Sequence, residues 1–326
     1  MWRRYTHDIR DTGDVNEHAA SLPQWDQQYE QISGGRFEGC IEELRIGPAQ
    51  LFRERTRQAV LQRGMPRPGT LTLAVPVRAS GESVFCGQRL GPAQALAMRA
   101  GDEFELVTHG EFDVVALDVD LDFLADYARR VDALDLDGRL PHSGTLPDAG
   151  GGSCAALREL LLTTLRTARE AGALLQHEPM RRALVHATCD VMLARLREAP
   201  AEAPPPVTAA TRQRVVREAR EYMRRHAGEP IGVPELCAAL QVSRRTLQYS
   251  FQDVLQLGPV AYLRALRLNG VRRDLSRGGP EPVADCAARW GFWHLSRFAA
   301  DYRALFGELP SCTLHRARAA GGHATH

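Results

Sequence analysis

The sequence predicts an α+β chain of two domains. The first is an antiparallel β-barrel or sandwich followed by a helical hairpin; the second is all-α and holds two helix-turn-helix patterns. Three observations predict this. Seven short β-like runs occupy residues 37–119, separated by Gly-containing or polar breaks. A proline-rich stretch, APAEAPPPVTAA (199–210), then marks a boundary. Beyond it, a layout of two short helices around a tight turn occurs twice. Charge divides at the same place: the net +1 of the 326 residues hides −7 over residues 1–206 and +8 over 207–326.

Residues 1–35 are polar and mixed, with a short helix expected over Ala19–Ile32, carrying Leu22, Trp25 and Tyr29 and interrupted by Pro23. The β-like runs are FEGCIEELRI (37–46), QLFRERT (50–56), TLTLAVPV (70–77), SVFCG (83–87), QALAM (94–98), EFELV (103–107) and FDVVALDV (112–119). Alternation of apolar and polar residues is clearest in Thr70–Val77 and Phe112–Val119, the signature of a half-buried strand. A short amphipathic helix is expected over Asp120–Arg130. A Gly/Pro-rich loop (Gly138–Gly152) precedes a helix over Ser153–Ala171, with Ser153 as its cap and Leu157, Leu160, Leu161 and Leu165 on one side. A second long helix is expected over His177–Glu198, with Pro179 near its start, where no N–H is needed. These two form a hairpin that packs on the barrel or makes a homodimer interface; simply completing the core is the plain alternative. The first domain is thus placed at 1–198, with strands about 37–119 and helices about 120–198, and the linker at 199–210.

The second domain is placed at 211–318 and opens with a helix over Thr211–His226. In IGVPELCAALQVSRRTLQYSF (Ile231–Phe251), Pro234 suits a first helical turn, and Leu236, Ala239 and Leu240 define one apolar face. Gln241-Val242 makes the turn and Ser243 caps the next helix. There Leu247, Phe251 and Val254 face inward, leaving Arg244, Arg245, Gln248 and Tyr249 outside. Val283–Phe306 repeats the layout. Leu236 matches Cys286, Cys237 matches Ala287, Gln241-Val242 matches Gly291-Phe292, Leu247 matches Phe298 and Phe251 matches Tyr302, at an offset of 50 that becomes 51 after the turn. A long helix over Gly258–Leu275 joins the copies. A short helix after Pro310 reaches about Arg318, and residues 319–326 form a frayed tail.

One amphipathic helix pair is as often a plain core as a recognition unit. Two copies on the basic third of the chain favour nucleic acid. Arg suits guanine O6 and N7, and Gln suits adenine N6 and N7, so Arg245, Gln248 and Tyr249 at i, i+3, i+4 are the base-reading candidates, with Arg244 at the rim. In the second copy Leu295, Ser296, Ala299 and Ala300 take the equivalent face. Leucine and alanine offer no bidentate donor, which leaves His294, Arg297 and Arg303 to grip phosphates.

Other chemistries find little support. The six histidines of residues 1–206 form no HxH, the seven cysteines form no CxxC, and neither a GxSxG nor a Walker loop occurs. No catalytic, metal or cofactor residue is assigned. Cys237 and Cys286 read as small buried hydrophobes, and Cys86 as structural rather than nucleophilic. Trp25, Phe52, Arg53, Phe85 and Cys86 are tempting for a ligand, but Phe52 and Phe85 read more simply as core. No run approaches a membrane span, and a cytoplasmic location is expected.

The block from 211 to 318 resembles the DNA-binding domain of AraC/XylS-family transcription regulators. The resemblance rests on Ser243, Leu247, Phe251, Gly258-Pro259, Tyr262-Leu263, Arg267-Leu268, Gly291-Phe292, Ser296, Phe298, Tyr302, Phe306-Gly307 and Pro310. Many members carry a polar or basic residue where Ala300 stands. The strings VSRRTLQ, RLNGVRR and WGFWHLSRFAADYRALF resemble the ethanolamine-operon regulators within that family. The resemblance implies a cupin-like barrel that binds a small-molecule effector, ethanolamine with cobalamin in that subgroup. It also implies an activator of transcription, with promoter DNA and RNA polymerase as partners. A β-barrel enzyme or sensor delivered to DNA by the helix-turn-helix module is the alternative, as is a barrel that only dimerises.

Overall fold

The computed structural model describes residues 2, 5–91, 94–136, 140–147, 152–198 and 207–322. The chain divides into two compact units, Met1–Tyr29 with Glu38–Pro204, and Glu30–Phe37 with Pro205–His326.

The first unit opens with β1 (Tyr5–Thr12), α1 (Val15–Ala19) and β2 (Asp26–Gln31). The helix expected over Ala19–Ile32 is therefore corrected to a helix that ends at Ala19 and a strand. Asp14 caps α1, its carboxylate accepting from the N–H groups of Asn16 (2.7 Å) and Glu17 (3.2 Å). Pro23 lacks the N–H that a longer helix needs. Leu22, Trp25 and Tyr29 are all buried. Next come β3 (Gly39–Ile46), β4 (Ala49–Thr56), β5 (Val60–Met65), β6 (Thr70–Ala79), β7 (Ser83–Phe85), β8 (Gln88–Leu90), β9 (Gln94–Arg99), β10 (Phe104–Val107) and β11 (Phe112–Asp120). Then follow α2 (Leu121–Asp132), β12 (Gly144–Pro147), α3 (Ser153–Glu170), a 3₁₀ turn (Gly172–Gln176) and α4 (Glu178–Glu198). β12 lies in the segment expected as loop. The cap expected of Ser153 falls instead on Gly152, whose φ of 69° suits glycine.

The strands form two sheets rather than a closed barrel. One runs β1-β3-β4-β11-β6-β9-β12, the other β2-β5-β10-β7-β8. The central strands of the seven-stranded sheet are buried on both sides. Val115, Leu117 and Val119 of β11 join Leu157, Leu161, Leu165, Val185 and Met192 of α3 and α4 in one core. Val114 and Ala116 face the other way and pack with Phe85, Phe104 and Leu106 of the second sheet. Even the polar positions of β6 and β11 are covered: Thr72 donates to Asp118 Oδ1 and Arg67 to Oδ2, both at 2.9 Å. The hairpin of α3 and α4 thus completes the core of its own unit.

The second unit holds α5 (Val207–Arg225), α6 (Val233–Leu240), α7 (Arg244–Leu255), α8 (Pro259–Ser276), α9 (Val283–Arg289), α10 (Leu295–Phe306) and α11 (Pro310–Gly322). Of the linker expected at 199–210, residues 199–206 lie outside the described residues, and 207–210 belong to α5. In the expected tail, 319–322 extend α11 and 323–326 lie outside the described residues. The repeat read in the sequence is present in the backbone. Val242 N–H donates to Cys237 O (3.1 Å) and Phe292 N–H to Ala287 O (3.0 Å), the aligned pairs. Gln241 (φ 55°) and Gly291 (φ 78°) turn the chain through the left-handed region after α6 and α9. Gln256 and Gly307 do so after α7 and α10, and prolines open both α8 and α11.

α8 is the axle of this unit. Phe251 packs on Tyr262 with ring centroids 6.0 Å apart, and Asn269, buried, exchanges hydrogen bonds with the backbone of Gln31 (3.0 and 2.9 Å). Tyr262 donates to Glu30 Oε2 (2.9 Å), so residues 30–37 are built into this unit. A Cβ on Gly270 would stand 2.4 Å from the Trp290 ring. Gly270→Ala is therefore expected to cost about 1–3 kcal/mol through overpacking, read as a lower urea midpoint. At the end of α10, burial alone raises the Glu308 carboxyl. Hydrogen bonds from Arg316 and Thr313 and the nearby Arg272 outweigh burial and hold it below its ordinary value. A depressed folded value adds stability above the unfolded pKa of about 4.3, which is lost as pH falls through the folded value. Glu308→Gln is expected to lower the urea midpoint at pH 7, with the deficit shrinking as the pH drops below that range.

Candidate nucleic-acid interface

The outer face of α7 is set by its inner one. Leu247, Phe251 and Val254 are buried, which turns Arg244, Arg245, Gln248 and Tyr249 to solvent. Ser243 fixes the helix start, its hydroxyl accepting from Thr246 N–H at 3.1 Å. On α6, Pro234 sits in the first turn and Glu235 reaches back to Gly232 N–H (3.0 Å). Leu236 is buried as expected, but Ala239 is exposed and Leu240 and Cys237 are only partly covered. An eight-residue helix meets its partners through too narrow a stripe to bury all three positions. Cys286, the counterpart of Leu236, is fully covered, and burial pushes its thiol up to about 11.

Tyr249 is 57% exposed yet held in place. The Arg212 guanidinium lies over its ring at 4.7 Å, and the same Arg212 pairs with Asp253 at 3.1 Å. Sequence reading passed over Arg212, because its position on α5, two helices before α7, gives no sign of which ring it meets.

On α10, Phe298, Tyr302 and Phe306 are buried, and Leu295, Ser296, Arg297, Ala300 and Arg303 are exposed; Ala299 is partly covered. His294 occupies the cap position without a side-chain bond to the helix N–H groups. Trp293, passed over in the sequence, is 71% exposed, and Leu295 is 48% exposed. The only sequence signal for Trp293 was a bulky aromatic in a turn. The two outer faces thus differ in chemistry. That of α7 offers guanidinium, amide and phenol groups; that of α10 offers mainly alkyl and indole surface with arginines beside it.

Residues 236–316 match the family described as a helix-turn-helix domain. The chain is 40% identical over 99 residues to the "Probable thc operon regulatory protein" of Rhodococcus erythropolis, covering 30% of each chain. It is 35% identical over 106 residues to the "XylDLEGF operon transcriptional activator 1" of Pseudomonas putida, covering 32% of this chain and 31% of that one. Less than a third of either relative's length is therefore matched. Among solved structures, a probable AraC family transcriptional regulator from Rhodopseudomonas palustris CGA009 is 38% identical over 32% of this chain and 98% of its own, with a TM-score of 0.31.

Proposed function

The chain carries a helix-turn-helix domain of the AraC/XylS family, and from that premise we propose that the protein is a sequence-specific transcription regulator, an activator governed by a small molecule. The observation that supports this most is the duplicated unit that exposes Arg245, Gln248 and Tyr249 together on one helix face. In this reading α7 and α10 enter successive major grooves, about 34 Å apart along the duplex. Arg245 and Gln248 read base edges, and Ser243, Arg244 and Tyr249 support them. On α10, His294, Arg297 and Arg303 hold phosphates, helped by the uncapped N–H groups at the helix start. Leu295, Ser296 and Ala300 touch sugar edges or thymine methyls. Trp293 and Arg212 join the interface. The effector acts through the N-terminal unit; ethanolamine, with cobalamin, is the identity suggested by the strings VSRRTLQ and WGFWHLSRFAADYRALF. RNA polymerase and a second copy of the chain complete the partners, in the cytoplasm.

A salt titration of DNA binding by the full chain tests the reading. Affinity is expected to fall steeply with salt, with a log–log slope near −0.9 for each phosphate neutralised. An affinity indifferent to salt would sink it.

A further inference from the structure

Between the two sheets of the N-terminal unit lies a cavity whose walls are mostly apolar. Trp25 is its centre, packed edge-on against Phe52 (5.4 Å between centroids) and Phe104 (5.9 Å). Three polar side chains complete the lining: Gln27, Glu54 and Gln62. Glu54, on β4, is buried. Tyr29 donates to its Oε1 at 2.5 Å, and His18 Nε2 lies 2.9 Å from the same oxygen. Among the described residues, no hydrogen bond is made to Oε2. The two amides are joined to each other, Gln62 Nε2 donating to Gln27 Oε1 at 3.1 Å, and Gln27 spends its own NH₂ on Ala19 O at 3.0 Å. The lining contains no Arg, Lys or His. Arg53, next in sequence to Phe52, is held instead by Asp113 at 2.9 and 2.6 Å.

From this arrangement we propose that the cavity binds a small hydrophobic amine, its hydrocarbon body against the rings of Trp25, Phe52 and Phe104 and its ammonium group on Glu54. The proposal rests on the effector-responsive reading above, though not on ethanolamine as the effector, and gives the effector a site and a chemical class. An anion would meet the Glu54 carboxylate with no Arg, Lys or His in the lining to offset it, His18 being engaged at Glu54 Oε1 and not among the lining residues, an arrangement that a buried site strongly disfavours. A neutral hydrocarbon would fill the space but leave Glu54 Oε2 without a donor. An ammonium group answers both, since a desolvated cation gains from a carboxylate and from the faces of aromatic rings together. A very polar amine such as ethanolamine would place a hydroxyl against apolar walls, at a cost. The cavity therefore favours amines with a larger apolar body.

Calorimetry on the full-length protein at one pH tests this with four probes: n-butylamine, n-butanol, butyrate and ethanolamine. Butylamine is expected to bind at least tenfold more tightly than butanol and ethanolamine, with no heat from butyrate. Glu54→Gln is expected to remove the preference for butylamine over butanol, and Trp25→Leu to weaken both. The probe series on the unaltered chain decides the matter even where Glu54→Gln fails to fold. Equal or tighter binding of butanol, ethanolamine or butyrate overturns the proposal, as does no binding of butylamine. The same samples are assayed for DNA affinity. DNA binding without butylamine binding removes this inference and leaves the regulator standing. Butylamine binding in a chain that binds no DNA removes the regulator and leaves the site.

Discussion

Truncating Phe251 to alanine is expected to lower the stability of the C-terminal unit by about 3–5 kcal/mol. Phe251 is wholly buried, and it sits where α7 packs on α5 and α8, against Tyr262. Losing the ring removes apolar surface and leaves a cavity that rigid helices fill poorly. Folded domains are stable by only about 5–15 kcal/mol, so the variant is expected to approach the unfolding threshold near body temperature. Gln252→Ala, one residue on and exposed, is the control, with an expected change within about 0.5 kcal/mol. Urea unfolding of the full-length chain reads both. A loss below about 1 kcal/mol for Phe251→Ala would mean that α7 is not anchored as described.

The second large effect concerns DNA. Arg245→Ala is expected to cost about 1–3 kcal/mol of binding to the preferred site and to relax the preference at one base pair. A guanidinium makes two parallel hydrogen bonds to guanine, and alanine makes none. In the proposed reading Arg303→Ala removes one phosphate contact instead. It is expected to weaken all sequences alike and to lower the salt slope by about 1. The two variants thus separate reading from holding, and fluorescence anisotropy on a preferred and a scrambled duplex distinguishes them. If both lose affinity equally on both duplexes, Arg245 reads no base.

The C-terminal unit was legible because its pattern is local and is written twice. Buried positions recur at helical spacing, and the aligned residues Gln241 and Gly291 prove to share one backbone turn. The outer face of α7 followed directly from its inner one. The N-terminal unit was harder for a physical reason. The central strands of the seven-stranded sheet are covered on both sides, so Thr72 and Asp118 are as buried as their apolar neighbours, and alternation no longer tells inside from outside. β8 has only three residues, and β5 (VLQRGM) shows no alternation of apolar and polar positions. The role of residues 30–37 was hidden because Gln31 meets Asn269, 238 residues away, and neither residue hints at the other. Phe52 and Phe85 read as plain core and are buried, but they also line the cavity, a fact that only the orientation of two sheets reveals.

In the proposed reading two structurally equivalent helices carry unequal chemistry: α7 reads sequence and α10 mainly holds the backbone. Selection of preferred sites from a random duplex pool by the full-length chain tests this most directly. The result expected is a motif with one sharply defined half-site, which loses definition in Arg245→Ala, and a second half-site about one helical turn away that tolerates substitution and leans toward A·T pairs. A motif equally sharp in both half-sites, or one left unchanged by Arg245→Ala, would contradict it.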